Sequence, residues 1–145
     1  MGKLISINIS EKKGTAKKSV AEAEVAADWG LTGDAHAGHW HRQISLLAFS
    51  DFRDFEVRAQ MTLEYGAFGE NFLVADLDLS QVKIGDRIHA ADVLLEVTQI
   101  GKECHKSCEI RKRVGKCIMP TRGVFARVIR GGTVKQGDRV WLESI

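Results

Sequence analysis

The stretch Val82-Lys83-Ile84-Gly85-Asp86-Arg87-Ile88 recurs later in the chain as Val134-Lys135-Gln136-Gly137-Asp138-Arg139-Val140. Each copy places a Gly-Asp turn in front of an alternating apolar run, which is the pattern of a tight turn that enters a β-strand. The first copy continues through a turn at Ala91-Asp92 to the apolar run Val93 to Val97, and the second leads into Val140-Trp141-Leu142. The repeat therefore predicts two structurally equivalent strand starts.

Short apolar runs and glycine-rich turns extend over the rest of the chain. Leu4 to Ile9 and Ser19 to Trp29 alternate in the manner of half-buried strands, and Ile44 to Phe49 is typical of a buried strand. Gly123 to Arg130 is a further predicted strand, which Gly131-Gly132 ends. Many short strands joined by one or two helices favour a mainly β fold, a β-barrel with a few short helices, over a Rossmann unit.

One helix is predicted directly after the Ile44–Phe49 strand. Ser50 can cap its first turn, and Asp51 favours the positive end of the helix dipole. Apolar residues recur at helical spacing at Phe52, Phe55, Ala59 and Leu63. We expect the helix to end near Tyr65-Gly66 and its aromatic side chains to belong to the core. A short helix or helical loop is also predicted over Cys108 to Gly115.

Length and composition limit the class of protein. A chain of 145 residues predicts a single domain over 1–145, and 44% hydrophobic with 28% charged residues is typical of a globular protein. A net charge of +2 is too small to indicate a nucleic-acid partner. The apolar runs are too short to span a membrane, and the N-terminus lacks the apolar core of a signal peptide. We therefore expect a cytoplasmic protein with neither nucleic acid nor membrane as partner.

A glycine-punctuated stretch from Trp29 to Leu47 holds three of the five histidines. One interpretation is a metal site, whose candidate ligands are Asp34, His36, His39 and His41. Another is an anion site formed by Arg42, Gln43, Ser45 and loop amides, because directed donors of this kind suit phosphate or pterin groups. The simplest is a hydrogen-bonded loop against the core, which is the interpretation favoured for His39 and Trp40.

Two further loops carry polar side chains. Glu70 and Asn71 follow the glycine-rich stretch Gly66 to Gly69, and this pattern is as consistent with a turn as with a ligand site. Glu11 to Lys18 carries four lysines around Gly14. That composition is typical of a solvated turn, although a phosphate could bind there.

All three cysteines of the chain fall in one basic window after the Val93–Val97 run. They are Cys104, Cys108 and Cys117, with Lys102, Lys106, Arg111, Lys112, Arg113 and Lys116 among them. Neighbouring cations favour the thiolate form of a cysteine, which is nucleophilic and binds metals. In a reducing compartment an odd number of cysteines indicates metal binding or reactive thiols rather than a disulfide framework. The alternative is that the thiols are small buried hydrophobes.

Three stretches together resemble a known family. They are Gly33-Asp34-Ala35-His36-Ala37-Gly38 leading into His41-Arg42-Gln43-Ile44-Ser45-Leu46-Leu47, then Gly66-Ala67-Phe68-Gly69-Glu70-Asn71-Phe72, then Ile84-Gly85-Asp86 through Gln99-Ile100-Gly101-Lys102-Glu103-Cys104. In their order and spacing the chain resembles a small stand-alone MOSC domain, the module found at the C-terminus of molybdenum cofactor sulfurases.

The resemblance implies a mainly β barrel whose loops converge on one cysteine that carries sulfur or ligates molybdenum. Cys104 matches that cysteine and is the predicted acting thiol and metal ligand. The residues then assigned to binding the molybdenum cofactor, a molybdopterin, are Asp34, His36, Arg42, Gln43, Ser45, Glu70, Asn71, Lys102 and His105. The chain carries no aminotransferase-like domain, so no resident pyridoxal phosphate is expected.

Three functions follow from these observations. The first is a carrier or binding module for the molybdenum (or tungsten) cofactor and its sulfur, with a molybdoenzyme or a cysteine desulfurase as possible partner. The second is a small molybdenum-dependent oxidoreductase that acts on N-hydroxylated compounds, so whether the protein is an enzyme stays open. The third treats Cys104, His105, Cys108 and Cys117 as a structural zinc or redox thiol cluster, although their spacing lacks the usual two-residue knuckle.

Overall fold

The computed structural model describes residues 2–13, 15–101 and 122–143 of the chain. Its strands are β1 (Gly2–Ile9), β2 (Lys18–Val20), β3 (Glu22–Ala26), β4 (Gly30–Leu31), β5 (Ile44–Ala48), β6 (Phe72–Ala75), β7 (Arg87–Ala90), β8 (Val93–Ile100), β9 (Val124–Arg130), β10 (Gly132–Lys135) and β11 (Arg139–Leu142). One α-helix, α1 (Phe49–Ala59), and a short 3-10 helix, Leu79–Gln81, complete the regular elements of the described residues.

Seven strands of the described part form a closed ring in the order β11, β7, β8, β9, β5, β6, β1, because β1 pairs back with β11. Neighbours are antiparallel except β5 and β6, which run parallel. β2 extends the sheet beyond β1, and β10, β3 and β4 form a second, three-stranded sheet. The prediction of a mainly β barrel with helices added is confirmed.

The two Gly-Asp turns have the same local structure. Gly85 and Gly137 have φ values of 96° and 94°, which glycine adopts far more readily than other residues. The Asp86 carboxylate accepts a hydrogen bond from the Lys83 amide, as that of Asp138 does from Lys135. Since β7 and β11 begin directly after these turns, both predicted strand starts are confirmed.

Each turn also holds a neighbouring strand of the barrel. The Gly85 amide donates to the Val97 carbonyl, and the Val97 amide donates to the Asp86 carbonyl, at 2.8 Å each. Gly137 and Asp138 make the same two bonds with Leu4, at 2.7 and 2.8 Å. The sequence repeat therefore fixes two corners of the barrel, one against β8 and one against β1.

The core has two parts, which lie on opposite faces of β5. Ile44 and Leu46 belong to the larger cluster, to which most strands contribute, whereas Leu47 belongs to a second cluster with Phe52 and Phe55 of α1. Successive residues of a strand point to opposite faces, so β5 is buried on both sides, as its continuous apolar run predicts. The predicted core role of the helix aromatics is confirmed.

The predicted bounds of the helix are wrong at both ends. Ala48, and not Ser50, is the N-cap, and it makes no side-chain cap bond. The helix ends at Ala59, because Gln60 is left-handed with a φ of 53°. The buried Glu56 carboxylate accepts the Leu63 amide at 2.7 Å, which folds the chain back against α1. Leu63 therefore packs on the second cluster from a loop and not from the helix.

The predicted strand from Ser19 to Trp29 is divided at Ala21. β2 pairs with β1 in the barrel, whereas β3 pairs with β10 in the second sheet. The prediction was wrong on this point because the chain passes from one sheet to the other there. Hydrophobic alternation does not indicate which strand is the pairing partner. The helix predicted over Cys108 to Gly115 lies outside the described residues. None of the helices that the structure describes is long and apolar enough to cross a membrane.

Candidate functional site

The loop between β4 and β5 packs against the end of β8. His41 Nε2 lies 2.8 Å from Gln99 Oε1, and the Thr98 hydroxyl donates to the His41 carbonyl. The Gly101 amide donates to the Gly123 carbonyl at 2.7 Å, so the two chain ends that flank residues 102–121 meet here. The predicted anion loop and the chain that leads to the cysteine window are therefore neighbours.

A buried ion pair joins this loop to the lysine-rich loop. Lys17 Nζ lies 2.7 Å from Asp34 Oδ1, and both side chains are fully buried. The Asp34 carboxylate also accepts the amides of Ser10 and His36 at 3.0 and 3.1 Å. Removing one partner from a buried pair costs about 3–5 kcal/mol, because the other charge is left without compensation. Asp34 thus fixes the relative position of the two loops.

Trp40 lies among cationic and aromatic groups. Its indole ring stacks on His36 at 6.2 Å with an interplanar angle of 8°, and its Nε1 donates to the His36 carbonyl at 2.7 Å. Lys13 Nζ and the Arg42 guanidinium lie 4.4 and 4.7 Å from the ring centroid. Such cation–π contacts contribute about 0.5–2 kcal/mol each. The result is a partly exposed aromatic surface with two positive charges beside it.

Arg42 carries a buried donor that has no acceptor. Its guanidinium lies over the Trp40 ring and 5.8 Å from the centroid of Phe125. Within the part of the chain that the structure describes, its Nε is buried and makes no hydrogen bond. An unsatisfied buried donor costs about 1–3 kcal/mol, so a retained one calls for an explanation such as a missing ligand.

Gln43 is occupied by bonds within the protein. Its Nε2 donates to Asp28 Oδ1 and to the Gly38 carbonyl, at 3.0 and 2.9 Å, and its Oε1 accepts the Val128 amide at 2.9 Å. The side chain is fully buried. Gln43 therefore ties the loop to β9, and contact of its amide with a ligand stays a prediction.

Ser45 and Asn71 form a second buried group that joins β5 to the start of β6. Asn71 Oδ1 accepts the Ser45 amide at 2.9 Å, the Asn71 amide donates to Ser45 Oγ at 3.0 Å, and Asn71 Nδ2 donates to the Asn8 carbonyl at 3.1 Å. These bonds satisfy backbone groups directly before the first paired residues of the two strands, Leu46 and Phe72. Direct ligand contact by these two residues also stays a prediction.

Glu70 closes its own loop. Its carboxylate accepts the amides of Gly66 and Phe68, at 2.8 and 3.0 Å, and the residue is fully buried. Burial raises the pKa of this carboxyl from 4.5 to about 7, although the two amides and the charge of Lys17 act in the opposite direction. Glu70 lies near the Lys17 charge and is thus coupled to the Asp34 pair, not isolated from it.

The structure does not support a metal site in this loop, for which the candidate ligands were Asp34, His36, His39 and His41. Asp34 is paired with Lys17, His39 Nδ1 lies 3.3 Å from Asp28 Oδ2, and His41 bonds to Gln99. Among residues 2–13, 15–101 and 122–143, no three His, Cys, Asp or Glu side chains come close enough to hold a metal ion.

Several predicted site residues lie outside the described residues. They are Lys102, Cys104 and His105, with Cys108 and Cys117 of the alternative zinc cluster. The predictions for them stand as predictions.

Three residues that sequence reasoning did not assign to the site are part of it. Lys17 and Lys13 were predicted to lie in a solvated turn, and Trp40 to pack as an ordinary loop residue. Lys17 is instead buried, while its neighbour Lys18 is exposed. No property of the sequence distinguishes these two lysines, because the difference depends on which of them meets Asp34 in the fold.

A groove on the described surface lies away from these residues. It has a volume of about 580 Å³ and is lined by residues of β2, α1 and 62–65, among them Arg53, Glu56 and Tyr65. It includes none of the predicted site residues.

A family model confirms what the strands and loops indicate. The model of the MOSC domain matches residues 33–141, three quarters of the chain. The chain belongs to the MOSC domain family. MOSC domains are associated with molybdenum cofactor sulfurases and with the metabolism of that cofactor. A comparison with curated proteins gave no significant match.

Solved structures agree with the MOSC assignment at the level of the fold. YuaD from Bacillus subtilis superposes with a TM-score of 0.79 at 20% sequence identity, over 97% of this chain and 94% of that one. YiiM from Geobacillus stearothermophilus gives 0.76 at 23% identity over 99% and 76% of the two chains. YiiM from Escherichia coli gives 0.73 at 20% identity over 100% and 71%.

Proposed function

We propose that this MOSC domain binds the molybdenum cofactor or carries sulfur for it, with the thiolate of Cys104 as the acting group. The association of the family with this cofactor gives the ligand class. Cys104 follows Gly101 by three residues in the sequence, and Gly101 lies at the end of β8 beside the loop that carries His41. A thiolate is a suitable ligand for a soft metal and a suitable carrier of sulfur.

Arg42 is the residue that supports this proposal most strongly. Its Nε is a buried donor without an acceptor among the described residues, and its guanidinium lies beside the Trp40 ring. A molybdopterin offers what this arrangement lacks, since it combines a flat heterocycle with phosphate oxygens. Charge-assisted bonds from guanidinium to phosphate are stronger than neutral ones and have a defined direction. The residues present therefore fit the cofactor.

Each part of the site would then have its own task. Arg42 and Lys13 bind the anionic end, and Trp40 packs on the flat ring. Lys102 and His105 stabilise the charge of the Cys104 thiolate. When bound, the cofactor supplies a metal that accepts sulfur ligands and changes oxidation state.

The remaining predicted residues would act through the backbone. Gln43 anchors the loop to β9, and the Ser45–Asn71 pair joins β5 to β6. Asp34 and Glu70 hold their loops by accepting backbone amides. His36 lies against Trp40. Together these bonds keep Arg42 and Trp40 in place.

The partner in the cell would be a molybdoenzyme or a cysteine desulfurase, which receives or donates the sulfur. We place this exchange in the cytoplasm, where thiols stay reduced. No pyridoxal phosphate is required of the chain itself.

Binding is tested by purifying the protein from cells that make the cofactor and from cells that do not. Metal analysis and detection of the extracted pterin should give molybdenum or tungsten and pterin only in the first case. Cys104→Ser should lose the metal or the labile sulfur, whereas Cys108→Ser, a matched thiol removal in the same window, should keep both. If Cys104→Ser retains metal, pterin and sulfur at the wild-type level, the assignment of Cys104 is wrong.

The same preparations separate the two other functions. Turnover of an N-hydroxylated compound with a reducing partner would make the loaded protein an oxidoreductase. Stoichiometric zinc in protein from both kinds of cell, with unfolding on chelation, would instead indicate a structural zinc site on the cysteine window.

A further inference from the structure

The buried ammonium of Lys17 contacts acceptors on Asp34, His36 and Ser10. Its Nζ lies 2.7 Å from Asp34 Oδ1, 2.9 Å from His36 Nδ1 and 3.1 Å from Ser10 Oγ. A lysine ammonium carries three donor hydrogens and no acceptor. The side chains of Lys17 and Asp34 are fully buried, so the carboxylate has the ammonium as its compensating charge.

This geometry decides which nitrogen of His36 carries the proton. Because Lys17 can only donate, Nδ1 of His36 must accept and is unprotonated, which leaves the ring proton on Nε2. Asp34 Oδ2 is 3.9 Å from Nδ1, too far to accept a hydrogen bond from it.

We infer that Lys17 is a positioning residue, which holds His36 as a neutral imidazole with its proton on Nε2. In this form the Nδ1 lone pair is used by Lys17 and the Nε2 lone pair belongs to the aromatic ring. Neither nitrogen can then ligate a metal, which requires an in-plane lone pair. In this state His36 is not a metal ligand.

The charges around the ring point to the class of ligand. His36 stacks on Trp40, and Lys13 and Arg42 lie beside the same indole. The Asp34 carboxylate, whose Oδ2 lies 3.9 Å from His36 Nδ1, is paired with Lys17. The two cations select a ligand that offers acceptor oxygens, for which the phosphate or ring carbonyl of a pterin is suitable. This identification of the ligand, unlike the tautomer, rests on the proposed function.

The tautomer is read directly from long-range proton–nitrogen correlation spectra of the isotope-labelled apoprotein near neutral pH. His36 signals are assigned by their absence in His36→Gln. The wild type should show a protonated Nε2 and an unprotonated Nδ1. A spectrum with the proton on Nδ1, or with both nitrogens protonated, would overturn the inference without any variant.

Lys17→Met tests whether Lys17 causes this state. We expect loss of the Nε2–H pattern, because the Asp34 carboxylate then attracts a proton to Nδ1. Lys18→Met removes a neighbouring exposed lysine and should leave the pattern unchanged. If Lys17→Met does not fold, Lys17→Met/Asp34→Asn removes both charges of the buried pair and should give a mixture of tautomers. An unchanged Nε2–H pattern in whichever variant folds would show that Lys17 does not position the ring.

Ligand binding is a separate readout. Extracted molybdopterin should bind Lys17→Met about tenfold more weakly than wild type, by analogy with the loss seen when the partner that orients a metal-ligating histidine is removed. If the tautomer is as expected and wild-type protein binds no molybdopterin, the proposed function fails while the positioning role of Lys17 stands. If wild-type protein binds molybdopterin but His36 is not protonated on Nε2 alone, the proposed function stands and the positioning role of Lys17 fails.

Discussion

Glu70 is an acid whose environment opposes its charge. Burial raises its pKa from 4.5 to about 7, so between these values the folded protein binds a proton that the unfolded chain has released. Its contribution to stability is complete below pH 4.5 and is lost as the pH rises through about 7. At about 1.4 kcal/mol per pH unit, this contribution is about 3 kcal/mol.

Glu70→Gln should remove that pH dependence. The free energy of unfolding of the wild type, minus that of Glu70→Gln, should fall by about 3 kcal/mol between pH 4.5 and 8, as measured by denaturant titration at each pH. Taking the difference cancels the other titrating groups and the constant cost of placing an amide NH₂ against two backbone donors. Glu64→Gln, at an exposed position, is the control and should give a flat difference. A flat difference for Glu70→Gln as well would contradict the raised pKa.

Substitution of Arg42 is expected to weaken ligand binding while leaving the stability of the apoprotein nearly unchanged. Arg42→Met removes a buried donor that costs about 1–3 kcal/mol and also loses cation–π contacts worth about 0.5–2 kcal/mol. The two effects oppose one another, so the unfolding free energy of the apoprotein should change by less than about 1 kcal/mol. Binding of molybdopterin should nevertheless fall at least tenfold, because the charged donor is gone.

The control for Arg42 is Arg58→Met on the exposed face of α1, where the side chain is 74% exposed and pairs with Asp54. It should leave binding unchanged. A variant Arg42→Met that loses several kcal/mol of stability would mean that the guanidinium is structural and would remove the main support for the proposed function.

At this scale, chemistry was easier to predict from the sequence than position. Arg42 was assigned to an anion site because guanidinium groups suit anions, and its unsatisfied Nε agrees with that assignment. Gln43 was assigned by the same reasoning, yet its amide is used by Asp28, Gly38 and Val128. The residue type determines which hydrogen bonds a side chain can make, and the fold determines which partners it meets.

The loop that precedes β6 is held by a close approach of two backbones. Gly66 has a φ of 91°, and a Cβ at this position would lie 2.2 Å from the Lys17 carbonyl oxygen. The Lys17 amide in turn donates to the Gly66 carbonyl at 2.8 Å. Because both neighbours are backbone, neither can move without disturbing Lys17 or Glu70.

Gly66→Ala should therefore cost at least about 3 kcal/mol, since steric overlap adds to the strain of a left-handed alanine. Gly85→Ala is a matched control, with a φ of 96° and no atom within 4 Å of the added Cβ. It should cost only the backbone strain, about 1–2 kcal/mol. Denaturant unfolding measures both. Equal costs would show that the backbones of residues 17 and 66 do not approach one another this closely.

Elements that local sequence controls were predicted correctly, and elements that distant contacts control were not. The twin turns depend on a glycine, an aspartate and the strand that follows, all adjacent in the chain. The end of α1 depends on a bond between Glu56 and Leu63, which helical periodicity does not reveal. The division of β2 from β3 likewise depends on partners in two different sheets.

At the scale of the whole molecule, the barrel is completed by the first and last described strands. β1 pairs with β11 through Gly2–Val140 and Lys3–Arg139, and the Gly137-Asp138 turn adds two bonds to Leu4. The strand pattern and the resemblance to MOSC domains both predicted a mainly β barrel, but neither predicted which strands close it. Closure joins residues far apart in sequence, and no local pattern specifies it.

Closure should form late in folding, because pairing of distant strands has a large entropic cost before it is rewarded. Val140 is fully buried and pairs with Gly2 on one side and Ala90 on the other. Val140→Ala should cost about 2 kcal/mol, mainly as faster unfolding with little change in the folding rate. Ile88→Val, in the local β7–β8 hairpin, is the comparison. A larger fraction of its loss in unfolding free energy should appear as slower folding. Stopped-flow folding and unfolding rates, measured across denaturant concentrations, give this fraction for each variant. If Val140→Ala slows folding in proportion to its full cost, closure of the barrel is part of the folding nucleus and not its last step.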